Sequence, residues 1–390
     1  MAEWIVTNLE ECTDVLGDGL HGTPKYTENG EYAFVNGNNL VEGEILIKKE
    51  TKKVDYSQYE KYKKPLTDRT ILVSINGTLG NVGVYDSEKI ILGKSACYFN
   101  VKQSVDKDFI YYVVSSPVFR QYLENNATGT TIKNISLKQM REYTFSIPQI
   151  DEQKRISSVL RKIDEKIKNN KAINNNLYEQ AQAIFDQEFL GFESLPHGWV
   201  ESNLLEIADY LNGLAMQKFR PKDNEIGIPV LKIKELRQGS CDTNSELCSP
   251  SIKPEYIVED GDVIFSWSGS LLVDFWCGGT CGLNQHLFKV TSQKYDKWFY
   301  YAWTNYHLVK FVALAADMAT TMGHIKREEL AKSEVLIPSE EDYNRISQLL
   351  APIYDLIIAN RIENRKLAEL RDSILPQLMN GDIDVSEVQI

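Results

Sequence analysis

Between Ile156 and Ile184 the chain sets side chains at alternating steps of four and three: Ile156, Leu160, Ile163, Ile167, Asn170, Asn174, Leu177, Ala181 and Ile184. The same steps recur 190 residues on, at Ile346, Leu350, Ile353, Ile357, Asn360, Asn364, Leu367, Arg371 and Ile374. That alternation is the seam of a coiled coil, so each stretch predicts one long helix. Ser339 with Asp342 resembles a capping box, and Asp151 is placed to cap the first helix. Gly191 and Gly381 fall at equivalent stops. Arg371 is one polar defect in the second seam, where Leu370 is the expected substitute. Asn170, Asn174, Asn360 and Asn364 stand mid-seam. Buried amides need hydrogen-bonding partners and thereby fix register. Antiparallel packing about a pseudo-twofold would bring Asn170 to Asn364 and Asn174 to Asn360. The alternative is a locally wetted, weakened seam.

Ahead of each helix the texture changes. Short apolar runs between Gly, Asn and Tyr (AFVNG, EILIKK, TILVSING and ACYFNV) predict β-strands, with a helix near 106–125 and another near 295–315. Repeats link the two regions as well. IPQIDEQKRIS (147–157) parallels IPSEEDYNRIS (337–347), Phe109 parallels Phe299, and Ile135 parallels Ile325, all at an offset of 190. WIVTNL at Trp4 resembles WVESNL at Trp199, and ILVSINGTLG (71–80) resembles VIFSWSGSLL (263–272). The chain is a tandem duplication with loop insertions. The predicted architecture is α+β: two globular α/β domains separated by two long antiparallel helices that form a coiled coil, an internal pseudo-twofold repeat. Expected segments are domain 1 at 1–146, a central helical region at 147–198, domain 2 at 199–336 and a distal helical region at 337–390.

A length of 390 residues suits two or three domains. No run of eighteen apolar residues predicts a membrane span, and the acidic start predicts no signal peptide. Six cysteines are too sparse for a disulfide scaffold, and free thiols in a reducing cytoplasm are expected. Cys241, Cys248, Cys277 and Cys281 fit no common zinc spacing, so no metal is expected. The net charge is −12, and residues 1–146, 151–198, 199–334 and 335–390 carry −2, −1, −4 and −5. No segment is basic overall, so any nucleic-acid contact needs local patches or a partner's charge.

Motifs that would signal catalysis fail in context. GDGLHG (17–22) matches a glycine-rich phosphate loop in letters, but Thr23–Pro24 follows where a helix must begin, so it reads as a turn. GKS (93–95) lacks the glycine that the phosphate loop requires at Glu88. None of the five histidines stands in an HExxH motif.

HGTPKY (21–26), TGTTIKNIS (128–136), SIPQIDEQKRISSVLRKIDEKI (146–167), LPHGW (195–199), LIPSEEDYNRISQLLAPIYDLI (336–357) and NRKLAELRDSILPQLMNGDIDV (364–385) together resemble the specificity subunit of type I restriction–modification systems. The resemblance spans nearly the whole chain. It implies two target-recognition domains that each read half of a split sequence in double-stranded DNA, with the helices acting as a ruler. A helix of about 37 residues is about 55 Å long, matching roughly 16 base pairs. The resemblance also implies two methyltransferase subunits docked on the helices, possibly two restriction subunits, and a non-catalytic role for this chain. It places S-adenosylmethionine, magnesium and ATP on the partners only. No Asn-Pro-Pro-aromatic motif of an amino-methyltransferase occurs. A methylation-only complex is the nearest alternative, and a coiled-coil scaffold with heads for non-DNA ligands a more distant one.

Base readout needs paired donors and acceptors on exposed loops, and phosphate contacts need cations, hydroxyls and helix N-termini. In the first domain the candidates are His21, Thr23, Lys25 and Tyr26, then Asn76 and Thr78. Thr130, Thr131, Lys133 and Asn134 follow, ahead of a helix that Ser136 and Gln139 can cap. In the second they are Lys218, Arg220, Lys232, Lys234, Trp267, Ser268, Asn284, Gln285, His286, Thr320, Thr321, His324 and Lys326. The duplicated Thr pairs suit positioning better than code. Arg155, Lys162, Lys166, Arg345, Arg361 and Arg365 read as a solvated helix face, or as a face for partners or spacer DNA.

Overall fold

In the computed structural model residues 4–129, 132–317 and 325–389 are described, which leaves Thr130, Thr131, Thr320, Thr321 and His324 outside the described residues. The chain forms two compact units, Met1–Glu165 with Glu369–Ile390, and Lys166–Ala368. Each unit therefore holds part of both long helices.

The first unit is built on two fully buried strands. Thr70–Ser74 and Ala96–Val101 have every residue buried, as the continuous apolar runs TILVS and ACYFNV require of central strands. They sit in the middle of a four-stranded sheet ordered Thr13–Asp18, Ala96–Val101, Thr70–Ser74, Val82–Val84. A second sheet pairs Tyr32–Val35 with Ile90–Leu92 in parallel and with Lys53–Val54 antiparallel. Ile5–Asn8 and Thr144–Ile147 close the domain as an antiparallel ribbon.

The second unit repeats this plan. Its four-stranded sheet runs Asp209–Asn212, Leu287–Thr291, Val263–Ser266, Leu272–Phe275, the same order of equivalent strands. Ile228–Leu231 pairs in parallel with Cys281–Leu283, and Val200–Asn203 with Glu334–Ile337 forms the closing ribbon. Phe109 and Phe299, equivalent in sequence, are both fully buried. The copies diverge at the helix each carries. The first is broken by Ser116–Pro117 into Lys107–Ser115 and Pro117–Asn126, because proline suits a first helical turn and not an interior. The second runs unbroken from Lys297 to Asp317.

The long helices span Ile150–Phe189 and Glu340–Met379, each 40 residues. In the second unit they run antiparallel: Arg345 meets Glu188 at 2.7 Å, Asn360 meets Asn174 at 2.9 Å and Asn364 meets Asn170 at 2.9 Å. Ala181, Phe185 and Phe189 of the first helix share a core with Ile346, Leu350 and Ile357 of the second. In the first unit Ile156 and Leu160 pack in one core with Leu375 and Leu378.

Several details of the helices correct the sequence expectation. Leu370 does not replace Arg371 in the seam: it is 48% exposed, while the Arg371 guanidinium turns inward to Asp164 at 2.8 Å. Asp164 also accepts a hydrogen bond from the Tyr112 hydroxyl (2.7 Å), so the polar seam position is satisfied rather than skipped. Asp151 lies inside the first turn, not at the cap, and there its charge complements the helix N-terminus. Ser339 does cap, accepting from the Asp342 N–H at 3.2 Å. Only Gly381 makes the left-handed stop (φ 76°), with Asp382 N–H donating to Gln377 and Gly381 N–H to Leu378. Gly191 has no left-handed φ. The face read as solvated or open to partners is largely engaged within the chain. Arg361 forks onto Asp274 (2.6 and 2.9 Å), Arg365 meets Asp260 at 2.5 Å, and Lys166 meets Glu363 at 3.2 Å. Lys162 stays exposed and Arg155 is half-buried.

Candidate nucleic-acid interface

In both units the loops with exposed polar residues gather at the ends of the central strands, and backbone bonds fix them there. In the first unit Ser74, fully buried at the end of its strand, donates to the Thr78 carbonyl and accepts from the Asn81 N–H (3.0 Å). The 75–80 turn so formed carries left-handed glycines at Gly77 and Gly80. It is zipped to the segment before the capped helix: Ile135 N–H donates to Ile75 (2.9 Å) and Gly77 N–H to Lys133 (3.0 Å). The helix Leu137–Glu142 begins with the full Ser136–Gln139 capping box.

Asn76 and Asn134 meet across these loops, Asn76 Nδ2 donating to Asn134 Oδ1 at 3.0 Å. Each thus uses one amide group on the other and keeps the second available. Thr78 and Lys133 are exposed beside them. His21, Thr23, Lys25 and Tyr26 are all exposed, with His21 Nε2 2.5 Å from Asp18. A third strip, passed over in the sequence, joins them. Lys94 N–H donates to the Leu20 carbonyl (3.1 Å), and Ser95 Oγ accepts from Gly37 N–H (2.9 Å) and donates to Asn36 Oδ1 (3.0 Å). A close backbone crossing makes this possible. A Cβ on Gly19 would lie 2.3 Å from the Gly93 carbonyl.

The second unit reproduces that scaffold with different side chains. A Cβ on Gly213 would lie 2.3 Å from the Asn284 carbonyl, Gln285 N–H donates to Leu214 (2.9 Å), and Ile325 N–H donates to Trp267 (2.8 Å). Trp267 and Ser268 therefore stand where Ile75 and Asn76 stand, and Gln285 and His286 where Lys94 and Ser95 stand. Trp267 donates its indole N–H to Asn212 Oδ1 (3.0 Å), and its ring centroid lies 6.1 Å from that of His286. His286 Nδ1 is 3.1 Å from Ser268 Oγ, and its Nε2 is 3.4 Å from Gln285 Nε2.

Not every expected contact is placed to touch DNA. Ser268 and Asn284 are each 4% exposed, too deep for a groove edge, and serve to hold His286. Lys232 and Arg220 both pair with Glu246 (2.7 and 3.1 Å), and Lys234 pairs with Asp242 (3.0 Å), so their charges are partly neutralised within the domain. Lys218 and Lys326 are exposed. Asn36, Lys94, Ser95 and Asn212 were not legible as candidates. For Lys94 and Ser95 the sequence signal was alignment of GKS (93–95) with NQH (284–286), which becomes visible once the strands are superposed in register.

Cys241 and Cys281 bring their sulfurs to 3.4 Å, whereas burial holds the Cys248 and Cys277 thiols up at about 11, well above neutrality. No group of three or more metal-ligating residues occurs among the described residues. None of the helices there is long and apolar enough to cross a membrane.

Two copies of one α/β plan, each with a strand-end loop cluster and each tied into the same pair of long helices, define a duplicated recognition protein. The chain belongs to the type I restriction modification DNA specificity domain family, whose sequence profile matches it twice, at residues 1–179 and 196–371. It is 22% identical to the type I restriction enzyme MjaIX specificity subunit of Methanocaldococcus jannaschii, over 99% of this chain and 95% of that one. It is 25% identical to the EcoKI specificity subunit of Escherichia coli, over 77% and 74%. Its fold is similar to the crystal structure of the type I system S subunit from M. genitalium, with a TM-score of 0.59, 17% identity and coverage of 97% and 96%.

Proposed function

We propose that this chain is the DNA sequence-recognition subunit of a type I restriction–modification complex, with each domain reading one half of a bipartite duplex target. The observation that carries the proposal is the pair of matched scaffolds with unmatched side chains. The backbone crossings at Gly19 and Gly213, and the bonds to Ile75 and Trp267, recur in both copies, while Gln285 and His286 of the second occupy the positions of Lys94 and Ser95 in the first. Conserved positioning with divergent donors and acceptors is what reading two unlike half-sites demands.

In this reading Asn76, Thr78, Lys94, Lys133 and Asn134 face one half-site. Trp267, Gln285, His286, Lys218 and Lys326 face the other. Thr130, Thr131, Thr320, Thr321 and His324 are assigned with them on sequence alone. The chain supplies no chemistry; two methyltransferase subunits bring S-adenosylmethionine, and restriction subunits, in a cleaving complex, bring magnesium and ATP. The complex works in the cytoplasm. Co-expression with the cognate methyltransferase followed by methylome sequencing tests this. A two-part motif with a fixed unread gap is the expected result, and an active complex that methylates a continuous motif would contradict it.

A further inference from the structure

The stretch from Lys48 to Lys64 holds seven lysines against Glu50, Asp55 and Glu60, in a chain whose net charge is −12. Between the equivalent strands the first copy (36–69) carries eight basic and six acidic residues. The second copy (232–262) carries four basic and seven acidic. This local excess is absent from the repeat partner. It is also displayed outward. Lys48, Lys49, Lys52, Lys53, Lys61 and Lys63 are exposed, and the helix Tyr56–Tyr62 between them buries no residue. The side chains of this seven-residue helix do not enter the core. The helix is held instead by its Asp55 cap and by a Tyr32–Tyr59 stack with centroids 4.1 Å apart.

Three contacts bind this stretch to residues 25–27. Lys25 N–H donates to Gln58 Oε1 (3.0 Å), Thr27 N–H donates to the Lys53 carbonyl (2.9 Å), and Lys52 Nζ sits 4.7 Å from the Tyr26 ring centroid. Lys63 is paired with Glu60 at 2.9 Å, whereas Lys48, Lys49 and Lys53 have no ion-pair partner among the described residues. Lys53 thus lies beside a loop expected from the sequence to touch DNA, and Lys48 and Lys49 belong to the same exposed stretch.

We propose that Lys48, Lys49 and Lys53 form a phosphate-binding edge peculiar to the first domain, which gives the chain most of its sequence-independent grip on duplex DNA. This rests on the DNA-reading function proposed above. The second domain, whose Lys232 and Lys234 are engaged by its own carboxylates, then contributes readout with little electrostatic attraction. The two half-sites are held unequally: the half bound by the first domain is captured first, by charge.

The test uses the complete complex of this chain with its methyltransferase subunits, wild type and carrying K48Q, K49Q and K53Q together. Binding to target and non-target duplexes is measured across a salt series, with thermal melts to establish that both complexes are folded. Each phosphate contact removed flattens the plot of log affinity against log salt by about 0.9, so the triple variant should lose a slope of about 2 to 3. Target and non-target affinity should fall by the same factor, and the methylated motif should stay the same. An unchanged slope overturns the proposal. So does a loss confined to the target duplex, which would make these lysines readers of sequence. A complex that no longer holds its methyltransferase also overturns it, because the patch would then be a protein-docking surface. If the wild-type complex itself prefers no sequence, the recognition function fails while the salt comparison still reports on the lysines.

Discussion

Asn170 and Asn174 show how a polar residue can be right for a buried seam. Asn174 is 5% exposed, accepts from Asn360 and donates to the Ile357 carbonyl (3.2 Å), and Asn170 donates to both Asn364 and Glu363. A shift of one helix against the other would break all of these at once. Replacing Asn174 by Leu should therefore cost about 1–3 kcal/mol in denaturant unfolding, because Asn360 is left unsatisfied. The double variant N174L/N360L should recover most of that loss, and a double variant as unstable as the sum of the singles would contradict the pairing. Arg361 is a sharper case. It and Asp274 are 22% and 23% exposed and joined by two hydrogen bonds, so Arg361→Ala should destabilise by about 3 kcal/mol. Arg361→Lys should not restore the loss, because an ammonium cannot fork. His307 makes stability depend on pH. Burial holds its pKa below 6.5, and its neutral Nε2–H donates to the Glu334 carbonyl at 2.7 Å. The unfolded chain then binds the proton more readily. The contribution is complete above about pH 6.5 and declines as pH falls below it. Acid titration of unfolding free energy should show this slope in the wild type, and a shallower one in His307→Gln.

The elements were legible where a side-chain period declares them. The four-three spacing located both long helices and their amide layers, and the buried runs at 70–74 and 96–101 located the central strands. What the period could not reveal was what happens to its exceptions. Arg371 stays inward because it donates to Asp164, itself held by the Tyr112 hydroxyl, a partnership between residues more than two hundred positions apart. The loop cluster was hidden for another reason. Its framework is backbone to backbone, as in Gly77 to Lys133 and Ile325 to Trp267, and such bonds leave no mark on residue type. The helix stop at Gly381 belongs to this scale too. Its φ is 76°, and a Cβ there would lie 2.8 Å from the Trp4 indole nitrogen. Gly381→Ala should cost at least about 1–2 kcal/mol from the left-handed backbone alone. Thermal unfolding checks it, and a variant as stable as the wild type would contradict this cost.

For the whole molecule the decisive feature was the duplication, visible in phrases such as IPQIDEQKRIS and IPSEEDYNRIS and matched by two sheets with the same strand order. Overall acidity pointed away from nucleic acid, because a net charge averages over the local excess at 48–64. Duplication followed by divergence at fixed loop positions gives one chain two separable specificities. The most direct test exchanges residues 199–336 for the corresponding domain of another family member, in the methyltransferase complex, and sequences the methylome. The account predicts that one half of the motif changes and the other half is retained. A motif changed in both halves, or in neither, would contradict it.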